Sequence, residues 1–265
     1  MDRAVGYTLL GRAWQLVAGP VTLFLIALSF SPEVQGFYYT FSSLMALQVF
    51  FELGSAQVIL QFASHEKAHL AWSEAGTLEG DAEAKARLRS LARLAVRFYG
   101  LMATLFAAAL LPAGWLFFSQ QPGHEAIAWQ APWALVVVAT AGLMAVSPVF
   151  ALLEGCGQVQ QVAKYRLFQG LAVNVIAWTA LVLQAGLFVA SANLLSTCLL
   201  AGGWLWWRYR RLLADLLAAG PPGGARIDWW REIWPFQWRI ALSWLSGSFS
   251  FYLFNPLLFA FAGAR

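Results

Sequence analysis

The chain has 265 residues, 60% of them hydrophobic and 11% charged, with a mean hydropathy of +0.62. Soluble domains carry about 25% charged residues, so an ordinary soluble domain is excluded. The apolar stretches are continuous, which excludes the short alternating segments of a β-barrel. The net charge of +4 sits in clusters that border apolar stretches, so nucleic acid is a poor partner and anionic membrane lipid a better one.

All but one of the 17 Lys and Arg residues fall into four clusters. They are Arg3 with Arg12; Lys67 with Lys85 to Arg97; Lys164 with Arg166; and Arg208 to Arg239. The exception is Arg265. A membrane span needs about 20 apolar residues. The gaps 13–66, 98–163 and 167–207 each hold two spans and a turn, and 240–264 holds one. With positive charge on the cytoplasmic side, the chain crosses seven times from a cytoplasmic amino terminus. The fold class is therefore an all-α, polytopic transmembrane helical bundle, expected in the inner (plasma) membrane. It comprises a six-helix lobe over 1–208, a cytoplasmic linker with an interfacial helix over 209–238, and the first helix of a second lobe over 239–265.

In chain order, spans are predicted at 8–30, 37–62, 98–118, 129–153, 167–188, 191–208 and 239–261. The first reads as a retained helix rather than a cleaved signal. Ser31 to Gly36 forms an external turn, and Ser119 to Glu125 a second. Ser191, Ala192 and Asn193 mark a third, in a tight hairpin. Residues 82–97 alternate Ala and Leu with Lys and Arg at helical spacing, which predicts an amphipathic helix lying on the inner leaflet. Gly220-Pro221-Pro222-Gly223-Gly224 is a flexible break. Trp229, Trp230, Trp234 and Trp238 follow it and predict a helix at headgroup level; most other Trp residues lie at span ends, as an aromatic belt does. Cys156 falls in a loop and Cys198 in a span, so no disulfide is expected.

Polar residues within spans face a bundle interior or a water-filled cavity. Glu52 stands out, with Gln48 and Ser55 on its helix face; Gln57 and Gln61 lie on the opposite face. Asn174 and Gln184 lie in the fifth span. Arg12 and Arg239 fall at the cytoplasmic mouth of two spans, where a planar guanidinium suits phosphate. The bland alternatives are snorkelling for the two arginines and interhelical bonding for the glutamines. The candidate substrate-binding set is Arg12, Arg239, Glu52, Gln48 and Asn174. Glu154 reads as a solvated turn residue.

His65-Glu66-Lys67-Ala68-His69 satisfies H-E-x-x-H, a zinc-protease pattern. The third ligand it needs at the same depth is poorly supplied: His124 is external, acids in 74–83 could reach only from a mobile loop, and Asn255-Pro256 is followed by Leu257-Leu258 without an Asp. A solvated helix end is the better reading. No other catalytic set is present, so neither an enzyme, a metal nor a cofactor is expected.

The stretch from Ser31 through Gly36-Phe37-Tyr38 and Phe51-Glu52-Leu53-Gly54 to Ser64-His65-Glu66 resembles polysaccharide (oligosaccharide) flippases. These belong to the multidrug/oligosaccharidyl-lipid/polysaccharide exporter superfamily. Trp238 to Trp244 and Asn255 to Phe259 resemble the start of that family's second lobe. The resemblance implies two six-helix lobes around a central cavity, with most of the second lobe beyond residue 265. It also implies alternating access and transfer of a polyprenyl-pyrophosphate-linked oligosaccharide to the outer leaflet. Lipid-linked oligosaccharide and membrane lipids are the expected partners, with a glycan polymerase and glycosyltransferases as further candidates. Rival functions are a drug or metabolite antiporter of the same fold and, more remotely, the zinc protease.

Overall fold

A computed structural model describes residues 3–120, 124–218 and 225–243. Its apolar stretches are helices, because hydrocarbon leaves backbone amides no partner but their own chain. The helices are α1 (Arg3–Ser29), α2 (Pro32–Met45), α3 (Gln48–Glu52), α4 (Ser55–Lys67), α5 (Ala82–Ser119), α6 (Gln130–Gly155), α7 (Val159–Val182) and α8 (Phe188–Leu217). A wide helical turn over Trp229–Ile233 runs into α9, residues 234–243. Five of these, α1, α5, α6, α7 and α8, are each long and apolar enough to cross a membrane. The bent run α2–α4 makes a sixth. The chain is thus an all-α, membrane-embedded helical bundle. The predicted seventh span lies outside the described residues beyond Ser243.

The second span is not one straight helix. It bends by 44° between Glu52 and Ser55. Leu53 and Gly54 both adopt left-handed backbone there, with φ of 47° and 69°, a conformation that costs a leucine and suits a glycine. The break frees the Glu52 carbonyl, which accepts the Ser55 hydroxyl at 2.6 Å. Ser55 therefore does not continue the helix face of Gln48 and Glu52. Ser31 to Gly36 is also not a loop. Ser31 caps α2 and Pro32 occupies its first turn, where a missing N–H costs nothing.

The third turn lies at Leu183–Leu187, eight residues before the predicted Ser191. Gln184 there has φ of 53°, and the Ala185 N–H reaches back to the Ala180 carbonyl at 3.0 Å. This six-to-one bond ends α7 as a Schellman turn does. Gln184 is consequently a turn residue rather than a polar residue inside a span. Ser191 and Asn193 belong to α8.

The basic stretch 82–97 is not a separate helix on the leaflet. It is the first half of α5, which runs unbroken for 38 residues, about 57 Å at 1.5 Å per residue. The hydrocarbon core is about 30 Å thick, so α5 projects beyond it. α8, with 30 residues, does the same. The projecting halves are joined by Asp215, which accepts from Arg89 and pairs with Lys85 at 3.2 Å. A short antiparallel hairpin, β1 (Leu70–Trp72) with β2 (Leu78–Gly80), caps this end and pairs Leu70 with Gly80. Leu70 and Leu78 are buried, and the Trp72 indole donates to the Cys156 carbonyl at 2.9 Å.

Helix α6 lies at the centre, packed on α4, α5 and α8, while α1 packs chiefly on α7. One core gathers Val58, Ala63, Leu88, Tyr99 and Leu212 at the basic end. A second, aromatic core joins Phe37, Phe41, Phe106, Phe118, Trp129 and Trp133 at the far end. Trp129 and Trp133 are fully buried, so they are core residues rather than members of a belt. Gly155 lets α6 approach α4 closely: a Cβ there would lie 2.6 Å from the Leu60 carbonyl.

Candidate functional site

Two cavities adjoin each other at the basic end of the bundle. The first, about 290 Å³, lies among α4, α6, α7 and α8 and is lined by Gln57, Ser147, Glu154, Tyr165, Arg166, Gln169 and Thr197 with apolar neighbours. The second, about 430 Å³, lies mainly between α1 and α7. Tyr7, Thr8, Arg12, Trp14, Gln15, Glu154 and Arg166 are among its lining residues. Leu60, Glu154 and Arg166 line both.

Helix geometry explains this grouping. On α7, Ala163, Leu167 and Gly170 recur at four- and three-residue spacing along one face toward α1. Small residues on both helices, Gly11 and Gly170 among them, leave the space. Further along the same seam the helices close, with Trp14 and Trp178 rings 5.8 Å apart. The Trp178 indole donates to the Thr22 hydroxyl at 2.8 Å.

Glu154 is not a solvated turn residue. Its carboxylate lies 3.0 Å from Arg166 and its side chain is 18% exposed. Arg166, at 58%, stands open to the cavity. Tyr165 stacks on Trp204 at a centroid distance of 4.4 Å, and its buried hydroxyl has no partner among the described residues. Gln169 holds the Thr197 carbonyl at 2.9 Å. Such a site offers two guanidinium groups, phenol hydroxyls and amides to a ligand with anionic and polar parts.

The sequence-derived residues are distributed as follows. Arg12 is exposed and lines the larger cavity. Asn174 sits one turn beyond Gly170 on the same face of α7, half-buried. Gln48 lines a third cavity of about 310 Å³ toward the far end, with Tyr38, Ser42, Thr140 and Asn193. Glu52 is half-buried beside the break in the second span. Arg239 lies on the exposed side of α9, its guanidinium 5.7 Å from the Trp238 ring centre, and lines none of these cavities. Arg166, which was not among the candidate residues, lines the larger cavity together with Arg12. Its signal was available: it is one of only two cations between 98 and 207.

Glu66 of the H-E-x-x-H run is 3% exposed rather than solvated. It accepts from Arg87 Nε at 2.8 Å, and Arg87 Nη2 donates to Glu232 at 2.6 Å. The carboxylate in the general-base position is thus tied to a structural cation. His69 falls beyond the end of α4. Among the described residues no three His, Cys, Asp or Glu side chains are grouped to hold a metal.

Helix α9 is latched onto this end. Asp228 caps it, accepting from the Trp230 and Arg231 N–H groups. Gln237 is buried and donates to the Ser55 hydroxyl at 2.6 Å. The loosened backbone of the second span and the helix after the linker therefore share one hydrogen-bond chain, Gln237 to Ser55 to the Glu52 carbonyl. The linker glycines and prolines, Gly220 to Gly224, lie outside the described residues.

Comparison with models of known families, with characterised proteins and with solved structures gives no match to this chain.

Proposed function

We propose that the chain is part of a flippase that moves a polyprenyl-pyrophosphate-linked oligosaccharide from the inner to the outer leaflet of a plasma membrane. The observation that supports this reading is the pair of adjoining cavities within a bundle of membrane-spanning helices, the larger lined by both Arg12 and Arg166 and the two sharing Arg166. An arginine fork binds phosphate oxygens two at a time. The amides and hydroxyls beside it suit sugar, and the apolar outer faces of the helices suit the lipid tail. Transport is non-covalent and proceeds by alternating access, with the bend at Leu53-Gly54 as a point of give. Gln48, Asn174 and Glu52 line the path or sense a coupling ion, and Arg239 is a second phosphate contact in another state of the cycle.

The test is glycan export by cells carrying Arg12→Ala together with Arg166→Ala, at protein levels matched to wild type. Loss of surface glycan with accumulation of the lipid-linked precursor is expected. Intact export in the double variant sinks the assignment. Normal glycan with loss of resistance to a cationic drug would transfer the chain to the antiporter class.

A further inference from the structure

Away from those cavities, α8 leaves the apolar zone through Trp206 and Trp207, which are 70% and 80% exposed. Arg208, Arg210 and Arg211 follow at once. With Trp207 and the hairpin tip Glu74-Ala75-Gly76 they enclose a cavity of about 270 Å³. We propose that this cavity is a binding site for the headgroup of an anionic phospholipid, with Arg208 and Arg211 on the phosphate.

Charge accounting singles out these arginines. Lys85, Arg87, Arg89 and Arg166 each reach a carboxylate. Among the described residues, Arg208, Arg210 and Arg211 form no ion pair. Three guanidinium groups face one carboxylate, Glu74, across the cavity. That imbalance makes the cavity electropositive and raises the local concentration of anions there. Trp207 lies three and four residues before Arg210 and Arg211, and Arg208 three before Arg211, so neighbouring side chains along the helix border the same space.

The opposite wall is built rather than loose. The hairpin tip is closed by the Ser73 N–H to the Thr77 carbonyl at 2.9 Å, and by their two hydroxyls at 2.9 Å. Buried Leu70 and Leu78 fix the hairpin to the bundle. Exposed indoles settle at headgroup depth. Lipid phosphates therefore lie level with Arg208, one residue beyond Trp207. A lipid headgroup is the anion that this depth supplies at high local concentration. The site is independent of the transport reading, since it shares no residue with the cavities at Arg12 and Arg166.

The experiment is native mass spectrometry and thermal melting of the whole purified chain in a non-ionic detergent. The chain is titrated with phosphatidylglycerol, with phosphatidylcholine, or with inorganic phosphate alone. Phosphatidylglycerol is expected to bind saturably and raise the melting temperature, and phosphatidylcholine is not. Each basic residue near an anionic surface contributes about fivefold in affinity, so R208Q/R211Q should bind phosphatidylglycerol about thirtyfold more weakly. E74Q removes the one opposing charge and should bind it more tightly. Equal binding by wild type and R208Q/R211Q, or equal binding of both lipids, overturns the site. Inorganic phosphate that stabilises wild type as strongly as phosphatidylglycerol does, and fails with R208Q/R211Q, overturns the lipid assignment.

Discussion

Arg87 joins three segments of the chain through two carboxylates, one on α4 and one on the turn before α9. Removing it strands Glu66 in the core without a counter-charge, a change that costs about 3 kcal/mol. Arg87→Ala should therefore lower stability by about that amount in detergent unfolding, whereas Arg231→Ala, at a fully open position, should change little. A loss below about 0.5 kcal/mol for Arg87→Ala would mean that the pair behaves as a surface bridge. Cys156 is a second residue whose environment decides its chemistry. Burial pushes its thiol up to about 12, and the thiolate is the reactive form. Maleimide at neutral pH should leave Cys156 unmodified in the folded protein and label it on denaturation; labelling of the native fold would refute the burial.

At the scale of elements, the docking of α9 should depend on pH. The Glu232 carboxyl is held below its usual range, first by the Asp228 N–H and then by Arg87. The folded form thus keeps its charge to lower pH than the unfolded form does. The stabilisation is complete above the ordinary carboxylate range and is lost as pH falls through the lowered folded value. Limited proteolysis at Arg231 and Arg239 should accelerate on acidification from about pH 6 to about pH 3. Glu232→Gln should flatten that dependence, and an unchanged profile would remove Glu232 from the latch. The contact of α4 with α6 is set by Gly155. Gly155→Val places methyl groups against the Leu60 carbonyl and Ala63, and should cost about 1–3 kcal/mol through overpacking. Melting temperature measures it, and an unshifted value would mean that the two helices part freely.

For the whole molecule, membrane depth follows from α5 being one rod. Glu83 and Leu105 are both exposed on it, about 33 Å apart at 1.5 Å per residue. In a Cys198→Ser background, Glu83→Cys should react with a membrane-impermeant maleimide on the face where the basic end emerges, and Leu105→Cys should not. If both react alike in intact membranes, α5 is not a span. The same rod carries the basic end clear of the hydrocarbon. The buried carboxylates and the hairpin there are held by ion pairs and packing within the protein rather than by the hydrocarbon.

The class and the approximate spans are legible in the order of the amino acids alone. Continuous apolar runs have one solution in hydrocarbon, the hydrogen-bonded helix, and that constraint is local. The order of the amino acids also drew attention to Arg12, which lines the larger cavity, and to Glu52, which lies beside the break in the second span. Which residues meet is set by the packing of segments far apart in the chain. Hydropathy reads Lys85 to Arg97 as amphipathic but cannot say whether α5 bends at the interface. Arg89 and Lys85 meeting Asp215, 126 and 130 positions away, tie its first half to the end of α8. Glu66 and Glu154 look solvated in sequence because their partners, Arg87 and Arg166, reach them through the fold. Trp133 looks like a belt residue because burial against Phe41 and Phe118 depends on how α2, α5 and α6 pack. That Arg12 and Arg166 line one cavity depends in the same way on α1 packing against α7. Local hydrogen bonding and solvation fix the elements; contacts between distant segments fix the cavities, and those contacts have no local signature.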